Sequence, residues 1–452
     1  MIFSSAMFLF RFLPVFLILY FGAPLRMKNI ILLLGSLFFY AWGEPVYVLL
    51  LLVLICSDYC HGRLIGRTRR KSTKTVLLCT SLIINLFALG FFKYTDGGLV
   101  GISFYTLQSM SYIIDCYRGK VKVQTNLLDY AMYVSMFPQL LAGPIVKYAE
   151  VEKQLKGRKP DIVQISHGCR RFVIGLAKKV LLADNLGLLW LQVSSENLGE
   201  LTVLTAWFGI LAFGLQIYFE LSGFADMAIG LGACLGFTLP ENFNYPYVAT
   251  SISDFWRRWN ITLTGWFKEY VYTPLGGKRK GVPRRILNII IVCALVGIWH
   301  GAGTRFLVWG LWFAFWIVLE KLFLKGLLRR LPDKIGTLYT VFLVMIGWVI
   351  IAIPGWEDTI RYLGIMFGQN SAGLYNTEAL YLFLEYVLLF VIAAIGATPV
   401  LQQVATRMGQ SVTGFGLATY RVLEKLILSL LLIVSVAYIV SSSYQPVLYF
   451  LL

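Results

Sequence analysis

Charge is what this sequence has least of. Only 14% of its 452 residues are Asp, Glu, Lys or Arg, while 58% are apolar and 15% aromatic. A soluble domain carries about 25% charged residues, so this chain lacks the polar surface needed to meet water on every side. A mean hydropathy of +0.72 points instead to lipid as its solvent. Acidic residues are scarcer still: 23 Asp+Glu stand against 40 Lys+Arg, a formal net charge of +17. In a soluble protein that excess would suggest nucleic acid. Here it is confined to short runs between apolar spans, as the positive-inside rule and attraction to anionic headgroups both require, and no nucleic acid is expected. No polar domain, linker, low-complexity tract or internal repeat divides the chain, so residues 1–452 read as a single membrane-embedded domain.

Paired cysteines are also missing. The seven present are odd in number and lie mostly in apolar segments, where they read as small buried hydrophobes rather than a disulfide framework. Cys56, Cys60 and His61 have helix-face spacing, but no carboxylate or further His completes a ligand set, so no metal site and no bound cofactor is expected.

What is present is a succession of apolar stretches, from Met7–Phe21 to Leu426–Val440. The first reads as a membrane helix, because no small-x-small cleavage pattern follows it. Leu201–Phe219 and Leu221–Leu239 read as separate stretches, as do Ile286–His300 and Phe306–Leu324. A crossing takes about 20 residues, and several stretches are shorter. The fold class expected is all-α and polytopic, in the cell membrane, with about 11 transmembrane helices plus interfacial or re-entrant ones. The basic runs Arg63 to Lys74, Lys147 to Lys159, Lys278 to Arg285 and Lys321 to Arg330 should face the cytoplasm. The loops holding Asp96, Glu196–Glu200 and Glu357–Asp358 should face outward.

Ser251–Thr273 has another pattern. Ile252, Phe255, Trp259, Leu263, Trp266 and Tyr270 recur at steps of three and four, while Arg257, Asn260, Thr264 and Lys268 form a second stripe. Ser251 or Ser253 can cap the start, and Pro274 with Gly276-Gly277 stops the end. The expectation is one amphipathic helix lying at the cytoplasmic interface.

Only three histidines exist. His61 adjoins a basic run and His167 sits in a polar connector. His300 ends the apolar run IIIVCALVGIWHGAG with no charge between Arg285 and itself. Fifteen residues at about 1.5 Å each place it roughly 22 Å from the cytoplasmic boundary, inside a hydrocarbon layer about 30 Å thick. An ionisable group at that depth signals function by default. The bland reading is a neutral, hydrogen-bonded His, and Gly297, Gly301 and Gly303 suit either close substrate approach or plain helix packing. A second polar cluster, Gln216, Tyr218, Glu220, Ser222 and Asp226, lies in another apolar run. Its carboxylates must pair or stay protonated, and Arg257 and Arg258 are the expected partners. Imidazole can take a proton from a hydroxyl that attacks a thioester, with Asn260 orienting it or stabilising the oxyanion. Proton relay in a transporter or flippase fits these residues nearly as well, and a passive scaffold remains a further alternative.

The segments YFELSGFADMAIGLGACLGF, LPENFNYPY, SISDFWRRWNITLTGWFKEYVYTPLGGKRKG and GIWHGAG resemble, in order and spacing, the membrane-bound O-acyltransferase family. SFYTLQSMSYIIDCYRGK, FPQLLAGPIVKY and the terminal SSYQPVLYFLL add to the likeness, whose core covers about residues 101–325. The resemblance implies a central funnel or tunnel, with His300 of the Trp299-His300-Gly301 motif as the catalytic residue. It implies an acyl thioester cosubstrate, acetyl-CoA or an acyl carrier protein, arriving from the cytoplasm. It also implies an extracytoplasmic acetyltransferase or a polysaccharide synthesis and export complex as partner. Asn260 stands where the bacterial branch has a second His, leaving His300 the sole candidate base. Tyr218, Glu220, Ser222, Asp226, Trp259 and Trp299 become candidate tunnel residues, and Arg257 to Lys268 the candidate donor entrance. D-alanyl transfer to teichoic acid is the alternative within the same chemistry.

Overall fold

In a computed structural model the chain is a set of helices joined by turns. The residues described are 1–95, 101–140, 143–277, 281–411 and 413–441, and no strand occurs among them. Asp96, Lys278, part of FPQLLAGPIVKY and all of the terminal motif lie outside the described residues. Eight described helices are long and apolar enough to cross a bilayer, and Phe8–Gly22 and Lys28–Gly43 are apolar but shorter. This is a multi-pass membrane protein, although eight helices of spanning length do not account for all eleven expected crossings. Its outer faces are apolar: Ile18 and Phe323 are each 73% exposed and Tyr381 is 72% exposed, a surface suited to lipid and not to water. The same reasoning corrects the cysteine expectation, since Cys56, Cys60, Cys79 and Cys169 are exposed and only Cys116 and Cys234 are buried.

Long helices joined by short connectors fold back on one another. Tyr47–Arg67 packs on Lys71–Thr95 through a buried cluster in which Ser81 and Asn85 donate to the Asp58 carboxylate, at 2.7 and 3.0 Å; nearer the surface, His61 Nε2 lies 3.1 Å from Thr80 Oγ1. Gly281–His300 and Thr304–Leu319 form a hairpin so tight that a Cβ on Gly310 would stand 2.3 Å from the Cys293 carbonyl oxygen. Asp333–Ala352 follows, held to it by Trp312 Nε1 donating to Leu343 O at 3.1 Å. Because Lys93 and Tyr94 reach the carbonyls of Trp299 and Ile298, the ends of the Lys71 and Gly281 helices coincide. One end of this set therefore carries Arg67–Lys71, Arg284–Arg285 and Lys325–Arg330; the other carries His300, Thr304 and Trp356, whose Nε1 donates to Thr304 Oγ1 at 3.0 Å.

The spine of the protein is Val203–Cys234, a single helix of 32 residues, so the two stretches read as separate are continuous. Glu220 does not interrupt it, because Glu is a good helix former. At about 1.5 Å per residue it is roughly 48 Å long, more than the hydrocarbon thickness, so it tilts or projects. Its C-terminal half packs into a core with the N-terminal helices, and its N-terminal half into a second core with residues from Tyr247 to Ile351. Against it runs Ile162–Ala177, which contains His167 and so replaces the expected connector. The seam between them is glycine: a Cβ on Gly175 would lie 2.6 Å from Gly223 O, and one on Gly230 2.6 Å from Gly168 O. In lipid such backbone contact, not hydrophobic burial, is what holds helices together.

Candidate functional site around His300

The Ser251–Thr273 segment builds one wall of the site, and not as one helix. Ser251 Oγ accepts from Asp254 N at 3.1 Å, the expected cap, and the Glu320 carboxylate adds bonds from Ile252 N and Ser253 N at 2.6 and 3.0 Å. Ile252–Arg258 then stops; Asn260 takes φ 41°, ψ 59°; and Ile261–Phe267 starts in a new direction. The apolar stripe continues through both pieces but is buried in protein, with Phe255 0% and Trp259 3% exposed. Trp266 Nε1 donates to Leu107 O at 2.9 Å and Tyr270 OH to Asp115 Oδ2 at 2.7 Å. The segment is therefore not an interfacial helix. It enters beside Glu320 and leaves beside Asp115, both towards the basic end, and its vertex, Trp259-Asn260, reaches His300.

His300 is the last residue of its helix. The carbonyls of that final turn would otherwise be orphans; Gly301 N bonds Gly297 O at 3.2 Å, Tyr94 OH donates to Ile298 O and Lys93 Nζ to Trp299 O. The end of the helix is thus clamped by a neighbour, which fixes where the imidazole starts. The glycines serve packing: a Cβ on Gly297 would lie 2.3 Å from Phe306 O, and one on Gly301 2.2 Å from the Phe306 ring.

The half-buried imidazole meets Trp299 at 4.9 Å and Trp309 at 5.2 Å, edge to face in both cases. A cavity of about 20 Å³ opens beside it, room for about one water. Its walls come from four elements: Ile217 and Leu221 of the spine, Trp259 and Asn260 of the vertex, His300, Phe306 and Trp309 of the hairpin, and Trp348 and Ile351 of the helix after it. Trp348 is held by its Nε1 donating to Tyr247 OH at 3.1 Å, and Tyr247 OH donates to Gly214 O at 2.6 Å.

Of the residues singled out from sequence, His300, Asn260 and Trp259 meet on this cavity. The others lie elsewhere. Tyr218 stands behind Trp259, ring centroids 6.4 Å apart, and Glu220 and Ser222 are buried at 1% and 2% exposure off the cavity wall. Asp226 pairs with Arg171 at 2.9 Å and Lys178 at 2.7 Å, correcting the expected pairing; Arg257 and Arg258 instead hold Asp254, at 2.8 and 2.9 Å. Trp299 turns away, edge-on to Phe104 at 5.9 Å and beneath the Lys93 ammonium at 5.1 Å. Arg257 and Lys268 are exposed, and the break at Asn260 puts them on different helical pieces. Beside Lys268, burial raises the Glu269 carboxyl, but the ammonium groups of Lys120 and Lys147, each at 2.5 Å, outweigh it and hold it below the usual carboxylate range. Arg118 lies over Tyr270 at 5.5 Å, so cations outnumber acids at this basic end of the site. Sequence reasoning missed Phe306, Trp309, Trp348 and Lys93. Nothing in the aromatic run TRFLVWGLWFAFW marks which tryptophan faces a histidine.

The model of the MBOAT, membrane-bound O-acyltransferase family, matches residues 107–351, which include every cavity residue. The chain belongs to that family. This acyltransferase is 34% identical to the probable alginate O-acetylase AlgI of Pseudomonas putida, over 100% of both chains. It is also 34% identical to the peptidoglycan O-acetyltransferase of Helicobacter pylori, over 83% of this chain and 81% of that one. The teichoic acid D-alanyltransferase of Bacillus subtilis is more distant, 26% identical over 50% of the acyltransferase and 60% of the relative. Membership makes the protein a membrane-bound enzyme that transfers acyl groups, and it removes transporter and passive scaffold as readings of its primary activity.

Proposed function

We propose that this acyltransferase moves an acetyl group from a cytoplasmic thioester donor, acetyl-CoA or an acyl carrier protein, towards a hydroxyl of an exported cell-envelope polysaccharide. His300 is the general base. The observation that carries the reading is the meeting of His300 and Asn260, from separate elements, on one cavity walled by tryptophan. The neutral imidazole takes the hydroxyl proton as the oxygen bonds to the thioester carbon. The tetrahedral oxyanion then collapses, the C–S bond breaks, and the imidazolium returns its proton to the departing sulfur. Asn260, whose amide does not ionise near neutral pH, orients the imidazole or the acceptor. The indole walls keep bulk water from intercepting the thioester.

The basic residues Arg118, Lys120, Lys147 and Lys268 suit an anionic donor at the cytoplasmic end, and His300 at the far end of its helix suits an acceptor outside. The acceptor is then either the polymer itself or an extracytoplasmic acetyltransferase within a synthesis and export complex. A cavity this small must widen to admit an acyl chain, so donor binding comes with side-chain movement. The polysaccharide O-acetyl relatives align over most of the chain, and the D-alanyl relative over half, which favours acetyl. The test uses the purified protein in vesicles, given labelled acetyl thioester and, separately, D-alanyl carrier protein. Transfer from the acetyl donor alone is expected; transfer from the D-alanyl donor alone overturns the choice of acyl group.

A further inference from the structure

Of the three tryptophans on the His300 cavity, Trp309 and Trp348 stack on each other but differ in hydrogen bonding. Trp348 gives its N–H to Tyr247. Trp309 is 2% exposed, and its buried Nε1 has no partner among the described residues. An indole N–H is a donor only, and buried ones ordinarily find an acceptor; an exception calls for an explanation. Position supplies it. Trp256, Trp299 and Trp316 also bury an unpaired Nε1, yet none of them lines the cavity. Trp309 does, and its ring stands edge to face with His300 at 5.2 Å and 86°. It is also held rigidly, edge-on to Trp256 at 5.6 Å and to Phe313 at 5.4 Å and stacked on Trp348 at 6.0 Å.

We propose that the Trp309 indole N–H is the hydrogen-bond donor that stabilises the oxyanion formed on the thioester carbonyl. The inference rests on the acyl-transfer reading and adds to it a catalytic residue. As the acceptor oxygen bonds to the carbonyl carbon and its proton passes to His300, the C=O electron pair moves onto oxygen. A donor held among its aromatic neighbours, with no other acceptor to release when the cavity widens around the acyl chain, strengthens its bond as that charge grows. That is the condition under which a single donor accelerates chemistry without tightening ground-state binding. When the C–S bond breaks the carbonyl re-forms and the bond weakens again.

The experiment compares Trp309→Phe with Trp316→Phe, both on the helix Thr304–Leu319 and both deleting an unpaired buried N–H, in acetyl transfer from a labelled acetyl thioester by protein in vesicles. Trp309→Phe should lower kcat by about 100-fold, with KM and Tm close to wild type. Trp316→Phe should keep wild-type kcat. Should Trp309→Phe fail to accumulate, 3-benzothienylalanine at position 309, which keeps the bicyclic shape and replaces N–H by sulfur, gives the same readout. Unchanged kcat in either Trp309 variant, or an equal loss in Trp316→Phe, overturns the oxyanion assignment while acyl transfer stands. No transfer by the wild type overturns acetyl transfer itself.

Discussion

Asn260 occupies a backbone position that few residues accept. Its φ of 41° and ψ of 59° are left-handed, a region that costs most L-residues about 1–2 kcal/mol but is open to Gly, Asn and Asp. Residues held there cluster at functional sites, since the surrounding structure must enforce them. Backbone and amide can be separated by substitution. Asn260→Gly should keep the vertex and the wild-type melting temperature but lose most transfer activity. Asn260→Ala should lose activity and also melt earlier, by the equivalent of about 1 kcal/mol. Full activity in Asn260→Gly would show that the amide is not used. At this scale the sequence singled out a His in an apolar run because that residue type was out of place there, and Asn260, one of an ordinary polar stripe, chiefly through the family resemblance. Trp309 was not readable, because a tryptophan in an apolar run is ordinary and only the fold decides which one faces the imidazole. Glu220, Ser222 and Asp226 misled in the opposite way. They are polar in an apolar stretch, yet Asp226 is accounted for by Arg171 and Lys178 and the cavity takes its wall from apolar Ile217 and Leu221.

Elements meet here through missing side chains. The hairpin that presents His300 closes on Gly297 and Gly310, and the spine closes on Ile162–Ala177 through Gly168, Gly175, Gly223 and Gly230. Gly310→Ala forces a methyl against the Cys293 carbonyl and should cost about 1–3 kcal/mol. It should lower transfer as well, because the strained turn carries the base. Gly22→Ala, with nothing within 4 Å of the new methyl, is the control expected to melt and turn over as wild type. Equal melting temperatures for the two variants in detergent would contradict the tight hairpin. The break in the 252–272 segment escaped pattern reading for a physical reason. Both helical pieces bury a face in protein, so apolar residues keep helical spacing across a vertex where the backbone itself changes direction. Periodicity reports burial; it does not report direction.

For the whole molecule, the segregation of basic connectors to one end and of His300 to the other predicts the orientation. In a chain stripped of its exposed native cysteines, Glu357→Cys should react with an impermeant thiol reagent added to intact cells. Arg330→Cys should react only after the membrane is opened. The reverse pattern would invert the donor and acceptor faces. Composition made the membrane legible, since so few charges leave no other solvent, and the length of the apolar runs made the helical class legible. The number of crossings was not legible, because apolar runs such as Leu201–Phe219 and Leu221–Leu239 merge into one helix while shorter ones fall below spanning length. The order of the motifs carried the family, and with it the place of His300.

All of this converges on the imidazole at the end of the Gly281–His300 helix. The decisive measurement is single-turnover acetyl transfer by vesicle-reconstituted wild type and His300→Gln at equal protein, starting from a bound labelled thioester. Removing the general base should slow the chemical step by about 100-fold or more while donor binding and melting temperature stay the same. A His300→Gln enzyme that transfers at the wild-type rate would contradict the account.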